Sequence, residues 1–370
     1  MTLHVKKISD QERDFWDQSI VKFPHAHPLN AYGWGMVRKI DGWEPSYFVA
    51  LEGDVVKGMV MVLHKRIPWT GLSIMYAPKG PVCDPEDIET IKALIKKVKE
   101  EGRARRSILL RIDPNLVEDK FENGLDPFIE VGFTHLNYRW SYWNSPRDVY
   151  RIELNKVETN EELFNTIDKR SRRRVRKAKR DGLVIKLADS IDELKSFYRI
   201  FSKVAVEKGF LFRSYEYQKK LWDEYISRGN GNLFIGVYQE KIVGGEICLN
   251  FANKCLAMHI GVLPEYNKLC SNDVYNWESI RWAKEIGCQW YSFRGVGSTP
   301  TQEQYKKKFN PQIVSLVGYY DLPLRPIFYR IFYFVELKVL PITVSVYKWI
   351  RKKYKWNNDK LKKQDTVYTD

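Results

Sequence analysis

Nine basic residues and no acid crowd into Lys169–Arg180, which reads KRSRRRVRKAKR. Residues 348–363, KWIRKKYKWNNDKLKK, hold eight basic residues against one acid. These two runs carry essentially the whole formal charge of +15, so the rest of the chain is close to neutral. Localised positive charge of this kind binds polyanions, either nucleic acid or an anionic membrane surface. The first run has only Val175 and Ala178, with Ile167 just before it, as an apolar stripe. Its cations therefore lie nearly all round a helix and repel one another unless phosphates neutralise them. Arg172, Arg173, Arg174, Arg176 and Lys177 are the candidate phosphate contacts, and a solvated helical face is the plain alternative. The second run follows a long aromatic and aliphatic stretch, which points to lipid.

Other reactive side chains form no centre. The five cysteines are scattered, odd in number and without a CxxC pair, which fits reduced thiols in a cytoplasm rather than a disulfide framework or a zinc ribbon. His25 and His27 lie beside prolines in a loop, and no His, Cys or carboxylate cluster has metal-ligand spacing. No metal and no bound cofactor are expected. Cys270, near a helix N-terminus, is a weak candidate for a catalytic thiol.

Acyl transfer is the chemistry that residues 249–293 suggest. They read as strand, Val262-Leu263-Pro264-Glu265, helix, Gly287 and strand again, the grammar of an acetyltransferase core. In acyl-CoA-binding versions a glycine-rich turn brings backbone N–H groups to a pyrophosphate at the helix N-terminus. Residues 266–271, YNKLCS, contain no glycine, so bulky side chains would crowd a phosphate there. The fold signal stands without the acetyl-CoA signal.

The elements that must position these residues come in two comparable halves. FVALEGDVVKGMVMVL from Phe48 echoes FIGVYQEKIVGGEICL from Phe234, each reading as strand, tight turn and strand. Asp84-Pro85 marks a helix start running to Gly102. Thr159 with Glu162 is a capping box expected to open the helix that carries the basic run and ends at Gly182. Ser190 with Glu193 opens another, ending near Gly209, and residues 272–286 form a third, closed by Gly287. The expected architecture is mixed α/β, with two tandem acetyltransferase-like domains at 1–148 and 149–321 and a C-terminal tail at 322–370. A length of 370 residues favours two cores. Residues 1–30 lack an apolar signal core, so export is not expected. Residues 327–350 are interrupted by Arg330, Glu336, Lys338, Pro341 and Lys348 and are not expected to span a membrane.

Several motifs in order, from about residue 30 to residue 321, resemble the FemAB group of peptidoglycan interpeptide-bridge enzymes. They are YAPKGPVCD from Tyr76, LLRIDP from Leu109, RSRRRVRKAKRDGLVI from Arg170, EKGFLFRSYEY from Glu207, and YSFRGVG from Tyr291 followed by QYKKKF. The resemblance implies a non-ribosomal peptidyltransferase that takes an amino acid from aminoacyl-tRNA and joins it to the stem-peptide amine of a lipid-linked or UDP-linked muramyl peptide. With no room for a coiled-coil arm, the chain is similar to the short, arm-less members. Aminoacyl-tRNA is then a co-substrate, and its ester already stores the free energy for amide formation. The barrier lies in deprotonating an amine of pKa about 10.4 and in stabilising charge on the ester oxygens.

The resemblance also implies roles. Lys306, beside Tyr305 where phenylalanine is usual, is the implied cation near the tRNA 3′ end, although Lys306, Lys307 and Lys308 alone would read as a solvated loop. Arg38, Arg213 and Tyr217 are implied acceptor contacts, and arginine suits bidentate phosphate contact. Asp113 is implied to orient or deprotonate the amine, with capping of the Pro114 turn as its alternative. His259 stands where a ligand-facing tyrosine is common, and it has an equally available structural reading. Beyond the resemblance, residues 322–356 read either as an anchor on the inner leaflet of the plasma membrane, making the protein cytoplasmic and peripheral, or as core packing. Two further readings stay open: the same fold with another acyl donor or a glycan-linked amine, and a silent RNA- and membrane-binding adaptor.

Overall fold

The structure, a computed structural model, describes residues 2–118, 126–136, 146–209, 212–269, 272–295 and 300–339. The first half runs β1 (Leu3–Ile8), α1 (Arg13–Ile20), α2 (Tyr32–Lys39), β2 (Glu44–Glu52), β3 (Val55–Ile67), β4 (Leu72–Ala77), β5 (Val82–Cys83), α3 (Ile88–Ala104), β6 (Ser107–Ile112), α4 (Pro127–Glu130) and β7 (Thr134–Leu136). The second begins β8 (Asp148–Glu153), α5 (Asn160–Thr166), α6 (Lys169–Arg180), β9 (Val184–Leu187), α7 (Ile191–Glu207) and α8 (Tyr215–Glu224). It continues β10 (Gly231–Tyr238), β11 (Lys241–Phe251), β12 (Lys254–Val262), α9 (Asn272–Glu285), β13 (Trp290–Gly295), α10 (Pro300–Lys307) and β14 (Gln312–Ser315). Last come β15 (Tyr319–Pro323) and α11 (Pro326–Phe334). Among the described residues no helix exceeds the 17 residues of α3 and α7, so nothing there forms a coiled-coil arm.

Two sheets share one strand order. The first is β1-β2-β3-β4-β6-β15-β7, with β5 pairing on β3, and the second, read from its far edge, is β9-β10-β11-β12-β13-β8-β14. Each has a single parallel junction, β4 with β6 and β12 with β13. A parallel junction needs a crossover, which α3 and α9 supply. The halves exchange a strand reciprocally: β8 follows the first-sheet strands but inserts beside β13 and β14. β15 follows the second-sheet strands but inserts beside β6 and β7. The expected division at residue 321 is therefore corrected. Tyr319–Pro323 completes the first lobe, and α11 packs on that lobe through Tyr329 and Phe332 against Leu72, Ile108 and Leu109.

An ionic lock holds this return. Arg111, completely buried in β6, donates from Nε and Nη2 to the two oxygens of Asp321, each at 2.7 Å. Its Nη1 and Nη2 also reach Glu336 at 2.5 and 2.9 Å. Burial opposes the charge, but the two carboxylates outweigh it and hold the guanidinium ionised well above its ordinary range. Residues 322–339 thus pack on the first lobe through one side of α11, and residues 340–356 lie outside the described residues.

The repeated hairpins are β2–β3 and β10–β11, each with a bulge at the matching place, Ala50/Leu51 and Gly236/Val237. The paired glycines have a packing reason. A Cβ on Gly58 would lie 2.7 Å from Thr90 of α3, and one on Gly244 would lie 2.7 Å from the Tyr275 hydroxyl of α9. Two helix starts differ from expectation. α3 opens at Ile88 under an Asp87 cap, because Asp87 rather than Asp84 reaches the free backbone N–H of Thr90. The Thr159 box opens only α5, and the extended Ile167 separates it from α6, which Asp168 caps by accepting from the N–H groups of Arg170 and Ser171. Ser190 caps α7 as read, accepting the Glu193 N–H, while the Glu193 carboxylate accepts the N–H of Asp189 rather than that of Ser190.

The lobes pack through a shared apolar core. Trp16, Tyr32 and Tyr47 of the first meet Leu221, Tyr225 and Phe197 of the second. Polar contacts cross the same seam: Tyr225 Oη donates to the Pro28 carbonyl at 2.7 Å, and Arg13 pairs with Glu224 at 2.5 Å.

Candidate active site

α2 ends at the seam with Arg38, and the turn after it carries Asp41. Arg38 Nη1 lies 3.6 Å from one Asp41 oxygen, and Arg213, from the second lobe, donates to the other at 2.9 Å. A third cation joins them from β3, where Lys65 Nζ donates to the Asp41 carbonyl at 2.9 Å. Burial lowers the Lys65 pKa, and Arg38 and Arg213 add repulsion that Asp41 partly offsets. Aromatic faces line the cations: Trp34 and Trp43 under Arg38, Trp43 under Lys65 and Tyr217 under Arg213, with separations of 5.5 to 5.8 Å. Three cations around one carboxylate leave uncompensated positive charge beside flat apolar surfaces. That combination suits a phosphate attached to a ring-bearing group.

The structure thus brings together Arg38, Arg213 and Tyr217, as the motif order implies. His259 is close by on β12. Its Nδ1 is 3.1 Å from the Gln218 side-chain oxygen, and its ring stands 6.5 Å from Tyr217. Lys65, Asp41 and Trp43 were not legible beforehand. Lys65 belongs to a strand whose register alone turns it to the seam, and Asp41 sits in a turn where an acid is ordinary.

Asp113 takes a different place. It is buried, accepts the Lys79 backbone N–H at 2.8 Å, and pairs with the Lys79 ammonium at 3.0 Å. These contacts tie the 76–83 loop to the end of β6 through Asp113. Tyr76 borders Asp113 and also faces Trp43 at 6.5 Å, which links Asp113 to the Arg38 cluster.

Lys306 and Tyr305 lie on α10, a helix where a solvated loop was the alternative. Lys306 Nζ donates to the Gly295 carbonyl at 2.8 Å and stands 5.8 Å from the Tyr150 ring. Tyr305 turns inward, where Asn276 Nδ2 donates to its hydroxyl at 2.5 Å. Burial raises the Tyr305 pKa well above its ordinary value, helped by Asp273 and Glu246. Next to it is a buried polar chain. Glu246 accepts from Ser279 at 2.9 Å and from Tyr291 at 3.2 Å, and burial pushes its pKa up to about 8.

The basic helix α6 is two-faced. Ser171, Val175 and Ala178 are buried against α9. On the same side Arg174 pairs with the buried Asp273 at 2.9 Å, and Lys179 pairs with Glu278 at 2.8 Å. Arg172 donates to Asn165 and Arg176 covers the Phe164 ring, while Lys177 pairs with Asp181. Arg173 projects into solvent. The expectation of cations free all round is thereby corrected: carboxylates of α9 answer two of them, and the remainder form one outward face.

The comparisons with known proteins bear on the family and the fold. The family model described as FemAB family matches residues 14–235, and that of an acetyltransferase (GNAT) domain matches residues 167–307. A lipid II:glycine glycyltransferase of Staphylococcus aureus is 26% identical over 231 residues, which are 62% of this chain and 53% of that protein. The chain thus spans about half the length of the curated relatives it matches. Among solved structures, the crystal structure of FemX superposes with a TM-score of 0.80 at 18% identity, covering 88% of this chain and 99% of that one. A tandem GNAT protein from the clavulanic acid biosynthesis pathway gives 0.51 at 12% identity, covering 87% and 99%. The fold is a tandem GNAT pair, and with a family model matching more than half of its residues, the chain belongs to the FemAB family.

Proposed function

We propose that this protein is an aminoacyltransferase that moves an aminoacyl group from aminoacyl-tRNA to the stem-peptide amine of a muramyl peptide precursor, in its lipid-linked form at the inner face of the membrane. The observation that carries this reading is the seam cluster, where Arg38, Lys65 and Arg213 surround Asp41 beside Trp34, Trp43 and Tyr217. A diphosphate-linked sugar peptide offers phosphates to those cations. The relative named lipid II:glycine glycyltransferase supports the same acceptor class.

In the proposed reaction the neutral amine attacks the aminoacyl ester carbonyl. The new C–N bond forms as the C–O bond to the terminal ribose breaks. The amine proton ends on the ribose oxygen, restoring a hydroxyl. Lys306, on the second lobe, would supply positive charge to the ester oxygens as they become anionic. The outward cations of α6 would hold the tRNA phosphates. An acetyl-CoA donor fits the fold but not residues 266–271, where no glycine opens the backbone to a pyrophosphate. The test is to incubate purified protein with a charged-tRNA mixture and either lipid-linked or UDP-linked precursor, and to read the mass added to the precursor. Addition of one or more aminoacyl masses, abolished by deacylating the tRNA, is the expected result. No mass shift with any aminoacyl-tRNA, or a shift that survives deacylation, would overturn the reading.

A further inference from the structure

The side of the first lobe where α11 packs presents an apolar surface that its own core leaves uncovered. Tyr329 and Phe332 turn inward from α11, and Tyr329 donates to Asp321 at 3.1 Å. Ile327, Phe328, Ile331, Phe334 and Val335, spaced by three and four along the same helix, all face solvent. Ile327 is 74% exposed and Phe334 61%, values at odds with a helix whose two faces were both meant for water. Beside the helix stands the β3–β4 hairpin, whose Ile67 and Leu72 contribute to the patch under Tyr329 and Phe332.

At that hairpin tip Trp69 is fully exposed. The turn holding it is well made: Thr70 donates its hydroxyl to the Ile67 carbonyl at 2.9 Å and accepts the Leu72 N–H at 3.0 Å. Trp69 itself has a φ of +60°, a conformation an L-residue adopts at a cost. A large indole presented outward on an ordered, left-handed turn gains nothing from the rest of the chain.

Charge selects the occupant. Arg66 and Arg106 flank the hairpin, with the Arg106 guanidinium against Gly71, and Arg325, Arg330 and Lys338 flank the helix. None of these five has an ion-pair partner among the described residues. In residues 322–339 the sole carboxylate, Glu336, is turned inward to Arg111. An apolar row collared by cations alone is repelled by a second copy of itself in a two-fold dimer, but matches anionic headgroups over an apolar layer. The sequence then runs on into the basic run 348–363, which continues the same sign of charge.

We propose that Trp69 and the outward row of α11 form one interfacial surface that seats the first lobe on an anionic bilayer. This rests on the reading of a lipid-linked acceptor, and adds the residues and the face by which the enzyme meets the membrane. The headgroup collar would orient the lobe, while Trp69 and the helix row enter the interfacial layer.

The test uses the full chain in flotation with vesicles of phosphatidylcholine alone and of equal parts phosphatidylcholine and phosphatidylglycerol. Wild type should float with the anionic vesicles only. Trp69→Ser and the double variant Ile331→Ser, Phe334→Ser should each lower the bound fraction about tenfold, and Arg66→Gln with Arg106→Gln should lower it by roughly fivefold per cation. Transfer to a soluble UDP-linked acceptor serves as the fold control and should stay at the wild-type level, since Trp69 touches neither the seam cluster nor α10. Unchanged flotation of Trp69→Ser and of the helix variant would overturn the proposal while leaving the transferase reading intact. So would a self-association that these variants abolish, because the face would then belong to a second copy. Loss of transfer with both acceptor forms by the wild-type protein would instead count against the transferase reading.

Discussion

Asp41 of the first lobe and Arg213 of the second meet across the seam at 2.9 Å, with Arg38 and Lys65 also on Asp41. In the proposed function the carboxylate competes with an acceptor phosphate for these cations. Acceptor binding then exchanges one anion for another, and the two partners should respond in opposite senses.

Arg213→Ala should raise the KM for the UDP-linked acceptor by at least about tenfold, the scale of one charge-assisted hydrogen bond. Asp41→Asn should lower it a few-fold by removing a competing anion. Both should leave kcat nearly unchanged, since contacts made equally in ground and transition states alter KM alone. Steady-state kinetics over acceptor concentration separate the two effects.

Within α6 the outward and inward cations should separate by readout. Arg173→Gln with Arg176→Gln should flatten the salt dependence of tRNA binding, where about 6 phosphate contacts imply a loss of ~10³ between 50 and 200 mM salt on duplex regions. Arg174→Ala should instead lower the unfolding free energy by about 2 kcal/mol, read as a lower urea midpoint, because the buried Asp273 loses that cation. Equal behaviour of the two sets in both assays would contradict the two-faced helix.

Removal of the chain after residue 321 should unfold the first lobe rather than simply detach a tail, since Arg111 would lose Glu336 and β15 its end. Glu336→Ala should cost about 2–3 kcal/mol in chemical denaturation, as expected when one carboxylate of a buried ionic cluster is removed. A variant as stable as wild type would place the lock outside the folding core.

Glu246 gives a pH dependence of defined sign. Its pKa rises from 4.5 to about 8 on folding, so the folded state holds a proton that the unfolded state has released. The stability tied to this proton is complete below about 4.5, falls as pH rises, and is spent above about 8. Glu246→Gln should therefore flatten the decline in Tm between pH 5 and pH 8 and raise Tm most at the alkaline end. A steeper decline in the variant would reverse the assignment.

Much of this arrangement was written locally. The cap at Ser190, the twin hairpins with Gly58 and Gly244, and the order of motifs were visible because each depends on neighbours in sequence. The motif order likewise pointed to Arg38, Arg213 and Tyr217 as one set. Long-range pairing was not visible. Nothing near Asp321 says that β15 returns to β6, and nothing in the basic run says which cations Asp273 and Glu278 take. Tyr305 makes the same point. Tyr305→Phe restores the usual residue of the motif, yet it removes one of two acceptors of the buried Asn276 amide, the other being the Asn272 carbonyl, so a loss of stability of about 1 kcal/mol is expected.

The most direct measurement is single-turnover transfer from pre-charged tRNA at saturating acceptor, comparing wild type with Lys306→Met. Lys306 stands over Tyr150, on the lobe that carries the basic helix, and its proposed work is on charge that exists only during transfer. The variant should transfer about 10²–10³ times more slowly while binding acceptor as tightly as wild type. Transfer at a near-normal rate would remove Lys306 from the chemical step and contradict the account of how this fold moves an aminoacyl group.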